Sequence, residues 1–229
     1  MPTRALVGFL LLSTAPTFAD TVLFNSGPIN GTISGEFINL SFEIADSFSL
    51  PSNGTLTGVK VGLDLPGPSN TPIQLDWAIW NAAGPGGGGS ILDSAVGATL
   101  SNTFLFTSTL GGFGTTEVYQ SSFSLPSITL SAGTYWLELQ NAVDSASNGV
   151  AWDLNNGPST VWASPPPGIV TAGAPDNCGD TGSPIIPGLA TCGSAFEITG
   201  ETVPEPRGLA LFVVGCLLAG AVLSRKLAI

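Results

Sequence analysis

The chain has 229 residues, of which only 9% are charged, contains no histidine, and carries a formal net charge of −11. High hydrophobicity with little charge is the reverse of a disordered composition, and the length suits one domain with a real core. The missing histidine excludes Ser/His/Asp and Cys/His catalysis and His-ligated zinc, and the acidity disfavours nucleic acid and anionic lipid headgroups as partners.

Residues 1–19 place one basic residue, Arg4, before an apolar stretch at 5–12, then a polar segment with small Thr17 and Ala19 ahead of Asp20. That layout predicts a secretory signal peptide cut before Asp20; the apolar stretch is too short to span a bilayer. Residues 20–202 then hold fifteen acids against a single base, Lys60. This reads as the solvated acidic surface of an exported protein rather than a cation site. Neither Asp144, Asn148 and Asp153 nor Asp176 and Asp180 have calcium-loop spacing, so no metal or cofactor is expected.

This segment reads as strands, starting with TVLFN. In FINLSFEIA, period-two alternation puts Ile38, Leu40, Phe42 and Ile44 on one face and Asn39, Ser41 and Glu43 on the other. DSFSL and TGVKVGL follow, with Lys60 at a solvent-facing position of the latter. In TPIQLDWAIW, Ile73, Leu75, Trp77 and Ile79 share a face, leaving Trp80 on the other. NAAGPGGGGS is too glycine-rich for regular structure and predicts a flexible hairpin tip. It lacks the lysine, GxGxxG spacing and following helix of a phosphate cradle. NTFLFT and EVYQSSFSL are further strands. Phe-Ser-Leu-Pro-Ser occurs in both DSFSLPSNGTLTG and SSFSLPSITLSAG, either as two similar hairpin corners or by chance in a Ser-rich chain. GTYWLELQ sets Tyr135, Leu137 and Leu139 against Trp136, Glu138 and Gln140, with Glu138 expected in solvent. GVAWDLNN groups Val150, Trp152 and Leu154; STVWA is another strand; SAFEITG, with Phe196 and Ile198, closes the series.

Between those last two strands, residues 163–193 form a long irregular excursion, either a stapled cap or a contact surface. Its Cys178 and Cys192 are expected to pair in an oxidising compartment, stabilising the fold by roughly 3 kcal/mol through loop-closure entropy. Cys216, in the apolar tail, is left over. Eight to eleven short strands joined by Gly, Pro, Asn and Ser turns, with no capped helical pattern, predict an all-β, antiparallel β-sandwich of jelly-roll type.

The tail, residues 203–229, opens with Val203, Pro204, Glu205 and Pro206, continues through an uncharged run at 208–224, and stops at Arg225 and Lys226. As a helix that run spans about 26 Å, close to a hydrocarbon core of roughly 30 Å, and the basic pair holds its end in the cytoplasm. This order of motif, span and basic stop resembles the PEP-CTERM sorting signal of exported proteins in Gram-negative bacteria. ADSFSLPSNGTLTGVKVGL, LSAGTYWLELQ, GVAWDLNNG and the late SAFEITG resemble a β-sandwich ectodomain type found in that family. The resemblance implies processing by an exosortase, a transient inner-membrane anchor at 208–224, and a place on the surface or in the biofilm matrix of exopolysaccharide-producing cells. It implies no enzymatic activity.

Asp64, Asp76 and Asp153 lie on or near strands and form the one carboxylate set that a glycosidase reading has to draw on. Carbohydrate binding is the more specific alternative. Trp80 and Trp136 fall on the polar side of their strands, where indoles stack on sugar rings if exposed; the competing reading packs them in the second face or under a loop.

Overall fold

A computed structural model describes residues 20–31, 35–39, 42–67, 70–85, 87–109, 115–146, 149–155, 161–164, 188–190 and 193–203. The signal segment, Cys178, Cys192, Asn148, Asp176, Asp180 and the tail from Pro204 to Arg225 and Lys226 lie outside these residues.

Every regular element among the described residues is a strand. In chain order they are β1 (Thr21–Asn25), β2 (Glu36–Phe37), β3 (Glu43–Leu50), β4 (Gly54–Pro66), β5 (Pro72–Trp80), β6 (Ile91–Thr99), β7 (Ser101–Ser108) and β8 (Thr116–Leu130). They continue with β9 (Gly133–Asp144), β10 (Ala151–Trp152), β11 (Leu154–Asn155), β12 (Val161–Ser164), β13 (Gly188–Ala190), β14 (Gly193–Ser194) and β15 (Phe196–Thr202). All pairings are antiparallel. Sheet A is built on β4, flanked on one side by β8 and β7. On its other side β15, with β1 beyond it, pairs the first part of β4, and β10, with β2 beyond it, takes over at Leu63 and Asp64. Sheet B runs β13-β12-β3-β9-β5-β6, and β11 and β14 make a separate short pair.

The two large sheets share one core, an arrangement consistent with a β-sandwich. Leu63 and Leu65 of sheet A and Ile79, Leu137 and Leu139 of sheet B are wholly buried. Trp77 of β5 stacks on Phe123 of β8 with ring centroids 6.4 Å apart, and Phe48 of β3 meets Phe196 of β15 edge-on at 6.5 Å. The expected inward sets Leu75–Trp77–Ile79 and Val150–Trp152–Leu154 are buried, as are Phe196 and Ile198.

Three expectations change. FINLSFEIA is not one strand: Phe37 pairs with Ala151 in sheet A while Glu43 pairs with Gln140 in sheet B, and a turn from Asn39 O to Phe42 N (3.0 Å) carries the chain across. Ile73 is 44% exposed, because register slips on both sides of Gln74 in the β5–β9 ladder turn the start of β5 out of phase. The two Phe-Ser-Leu-Pro-Ser copies differ. The first ends β3 at a corner. The second runs through β8, where residues 125–127 bulge opposite Thr57 and Ser127 takes φ 60°. A bulge accommodates Pro126, which cannot donate to the ladder.

The segment at 26–31, with Gly35, folds over the outer face of sheet A. Ser26 N donates to Phe196 O at 3.0 Å and Ser108 Oγ to Gly31 O at 3.0 Å. Ile29 lies on Gly62, where an added Cβ would stand 2.9 Å from its side chain. Gly62 and Asp64 of β4 and Ala151 of β10, on the solvent parity of their strands, are therefore buried as well.

Candidate functional site

Ladder register assembles a polar and aromatic face on the outside of sheet B. Trp80 of β5 stands directly opposite Trp136 of β9; the next outward pairs along the ladder are Ala78 with Glu138 and Asp76 with Gln140. On the other flank of β9, Ser47, Ala45 and Glu43 oppose Trp136, Glu138 and Gln140. Alternation alone fixes these faces, since Leu137 and Leu139 must point into the core.

Both tryptophans are half-buried. The glycine-rich hairpin tip explains the cover on Trp136. Its indole N–H donates to Ala82 O at 3.3 Å, and Gly84, at φ +63°, lies so close that a Cβ would stand 2.7 Å from the ring. The tip itself is tied by Asn81, whose Oδ1 accepts from Ala83 N and Ser90 N while its Nδ2 donates to Ser90 Oγ at 2.9 Å. The expected hairpin tip is present, with Asn81 closing it.

Glu138 is a correction. It is 3% exposed rather than solvent-facing, because Trp80, Trp136 and the neighbouring strands close around it. Burial, then the nearby Glu43 charge, push its carboxyl up to about 7; the Trp80 indole N–H, directed at it but short of full hydrogen-bond geometry, opposes part of that rise. Gln140 Nε2 also donates to Glu138 Oε1 at 3.1 Å. Asp76 accepts from Gly97 N at 2.7 Å and from Asn141 Nδ2 at 2.8 Å. Above the buried Glu138 carboxyl, the face thus offers two half-buried indoles edged by amides and a carboxylate. Those are the groups that stack on the apolar face of a pyranose and bind its hydroxyls.

Of the three strand carboxylates, register brings two together. Asp64 and Asp153 lie on the outer side of sheet A beneath residues 26–31 and Gly35, 5% and 0% exposed, whereas Asp76 lies on sheet B. Sequence spacing hid this pairing; only the β4–β10 ladder reveals it. Near them a cavity of about 180 Å³ is lined by Asn25, Pro28, Lys60, Gln120 and Glu197. Lys60, expected to face solvent, is half-buried with its side chain 42% exposed, and its ammonium is 3.2 Å from the Glu197 carboxylate.

Val203, the first residue of the expected sorting motif, is 37% exposed and follows β15 directly. Comparison with known proteins finds no matching family model, and no curated protein sequence matches the chain.

Proposed function

We propose that this chain is an exported, non-enzymatic cell-surface or biofilm-matrix protein. A jelly-roll-like ectodomain is delivered by the signal peptide, held briefly in the inner membrane by residues 208–224, and released by an exosortase-type enzyme acting at Val203, Pro204, Glu205 and Pro206. The join between fold and tail carries this reading. β15 ends at Thr202, Val203 N donates to Asn53 O at 2.9 Å, and the Pro-Glu-Pro triplet follows at once. The triplet therefore begins one residue after the end of the last strand, and its prolines favour the extended form that an enzyme cleft accepts. The jelly-roll assignment draws support from the chain's repeated change of sheet between β3 and β4, β4 and β5, β6 and β7, and β8 and β9. Intact mass spectrometry of protein from the native host tests the reading. The mature chain should lack residues 209–229, and non-reducing peptide mapping should give one Cys178–Cys192 cross-link. Finding the tail on most molecules at steady state would overturn the sorting role.

A second reading, carbohydrate binding, is favoured by the direct opposition of Trp80 and Trp136 beside Glu138 and Gln140. Pull-down on the host exopolysaccharide should weaken about tenfold or more for Trp80→Ala and Trp136→Ala, with thermal midpoints recorded as a folding control. Unchanged retention by folded variants would remove this reading and leave the first untouched.

A further inference from the structure

Asp64 and Asp153 are brought together by a ladder, not by sequence. Ala151 pairs with Asp64, and residues two apart on a strand share a face, so Asp153 is the diagonal neighbour of Asp64. Asp153 N donates to Gly62 O at 2.9 Å, and a Cβ on Gly62 would stand 2.9 Å from that of Asp153; only glycine lets the aspartate lie against the β4 backbone. The overlying segment closes the place. Asn30 N and Gly31 N donate to Asp153 Oδ2 at 3.0 and 3.4 Å, and a Cβ on Gly35 would lie 3.2 Å from Asp64 Oδ2. The Oδ1 atom of each carboxylate is buried and receives no hydrogen bond.

Two buried carboxylates with open oxygens need either a proton or positive charge beside them. Lys60, the sole basic side chain among the described residues, is paired with Glu197.

We propose that Asp64 and Asp153 bind one calcium ion through their open Oδ1 atoms, pinning residues 26–31 and Gly35 onto sheet A. The donors are all oxygens, which selects a hard cation. Calcium tolerates the irregular shell that two strand carboxylates impose, whereas magnesium demands near-octahedral geometry. Among the described residues no three acidic, histidine or cysteine side chains converge. Main-chain carbonyls and water therefore complete the shell, and the affinity falls in the weak extracellular class, about 10⁻⁴–10⁻³ M.

The test uses the full chain purified in detergent, with chelator or with millimolar calcium or magnesium. Native mass spectrometry should count one calcium per chain, and calcium should raise the thermal midpoint by about 2–8 °C. Asp64→Asn and Asp153→Asn should each lose the ion and the shift, while Asp93→Asn on sheet B keeps both. In chelator, Asp64→Asn should melt no lower than the unsubstituted chain, which separates a lost site from a lost fold. Three results would overturn the proposal: no stoichiometric calcium in the unsubstituted chain, an equal shift with magnesium, or full binding by both asparagine variants. Stabilisation by acid but not by calcium would also sink it, since the pair would then be sharing a proton.

Discussion

Gly84 and Glu138 govern the tryptophan face from opposite sides. Gly84 is held at φ +63° against the Trp136 ring. Alanine there meets both a left-handed backbone and a 2.7 Å contact. Gly84→Ala should therefore destabilise by about 1–2 kcal/mol and shift the Trp136 emission as the tip lifts, read by fluorescence and denaturant midpoint. Glu138 acts through charge. Its folded carboxyl sits at about 7, above its ordinary 4.5, so the folded state binds more protons than the unfolded one between those values. Its contribution to stability thus falls as pH rises through that window and is neutral below it. Glu138→Gln keeps the shape and removes the charge. It should raise the thermal midpoint at pH 8 and change it little at pH 4; a drop at pH 8 would mean that the ionised form is the one the site stabilises.

At the scale of single strands, Leu137 is the sharpest probe of register, because it is wholly buried between Trp136 and Glu138. Leu137→Ala should cost about 2–5 kcal/mol in denaturant unfolding; a loss under about 0.5 kcal/mol would place it on a surface. This central stretch of β9 was legible because a strand with one buried face writes period two into the chain. The pattern fails where a bulge shifts parity. After Asn141, at φ 50°, burial passes to Ala142 and Asp144, and the slip opposite Thr57 moves it from Leu56 to Val59. It fails too for edge strand β6, whose ILDSAVGAT leaves Ile91, Leu92 and Val96 exposed and so carries no alternation to read. Of the site, the shared face of Trp136, Glu138 and Gln140 was written in WLELQ, but its partners were not. The burial of Glu138 comes from Trp80 and the strands flanking β9, and that of Asp64 and Asp153 from residues 26–31 and Gly35, all distant in sequence, which local periodicity cannot report.

Across the whole molecule, the tail and the tryptophan pair share one end. Val203 N and Ala132 N both bind Asn53, by its main-chain and side-chain oxygens respectively, so the exit lies between the β3–β4 and β8–β9 turns. Leu50 pairs with Gly133 at that same end, and Trp136 stands three residues further along β9, about 10 Å away. Only residues 204–207 separate Val203 from the apolar run, a reach of at most about 14 Å. On the sorting proposal, the anchored protein therefore holds Trp80 and Trp136 near the bilayer, at a distance too short for a thick polysaccharide to enter. On the carbohydrate-binding reading, tail removal then opens that end to glycan as well as releasing the protein. Deleting Pro204, Glu205 and Pro206 should trap the chain in the inner membrane with its tryptophan face obstructed. Spheroplasts carrying that variant should retain soluble exopolysaccharide at least about tenfold less per molecule than the processed protein, and Trp136→Ala should abolish the difference by lowering the processed form. Equal retention by the trapped and processed proteins would break the link between exit geometry and binding, since the same indoles would then be open while still beside the membrane.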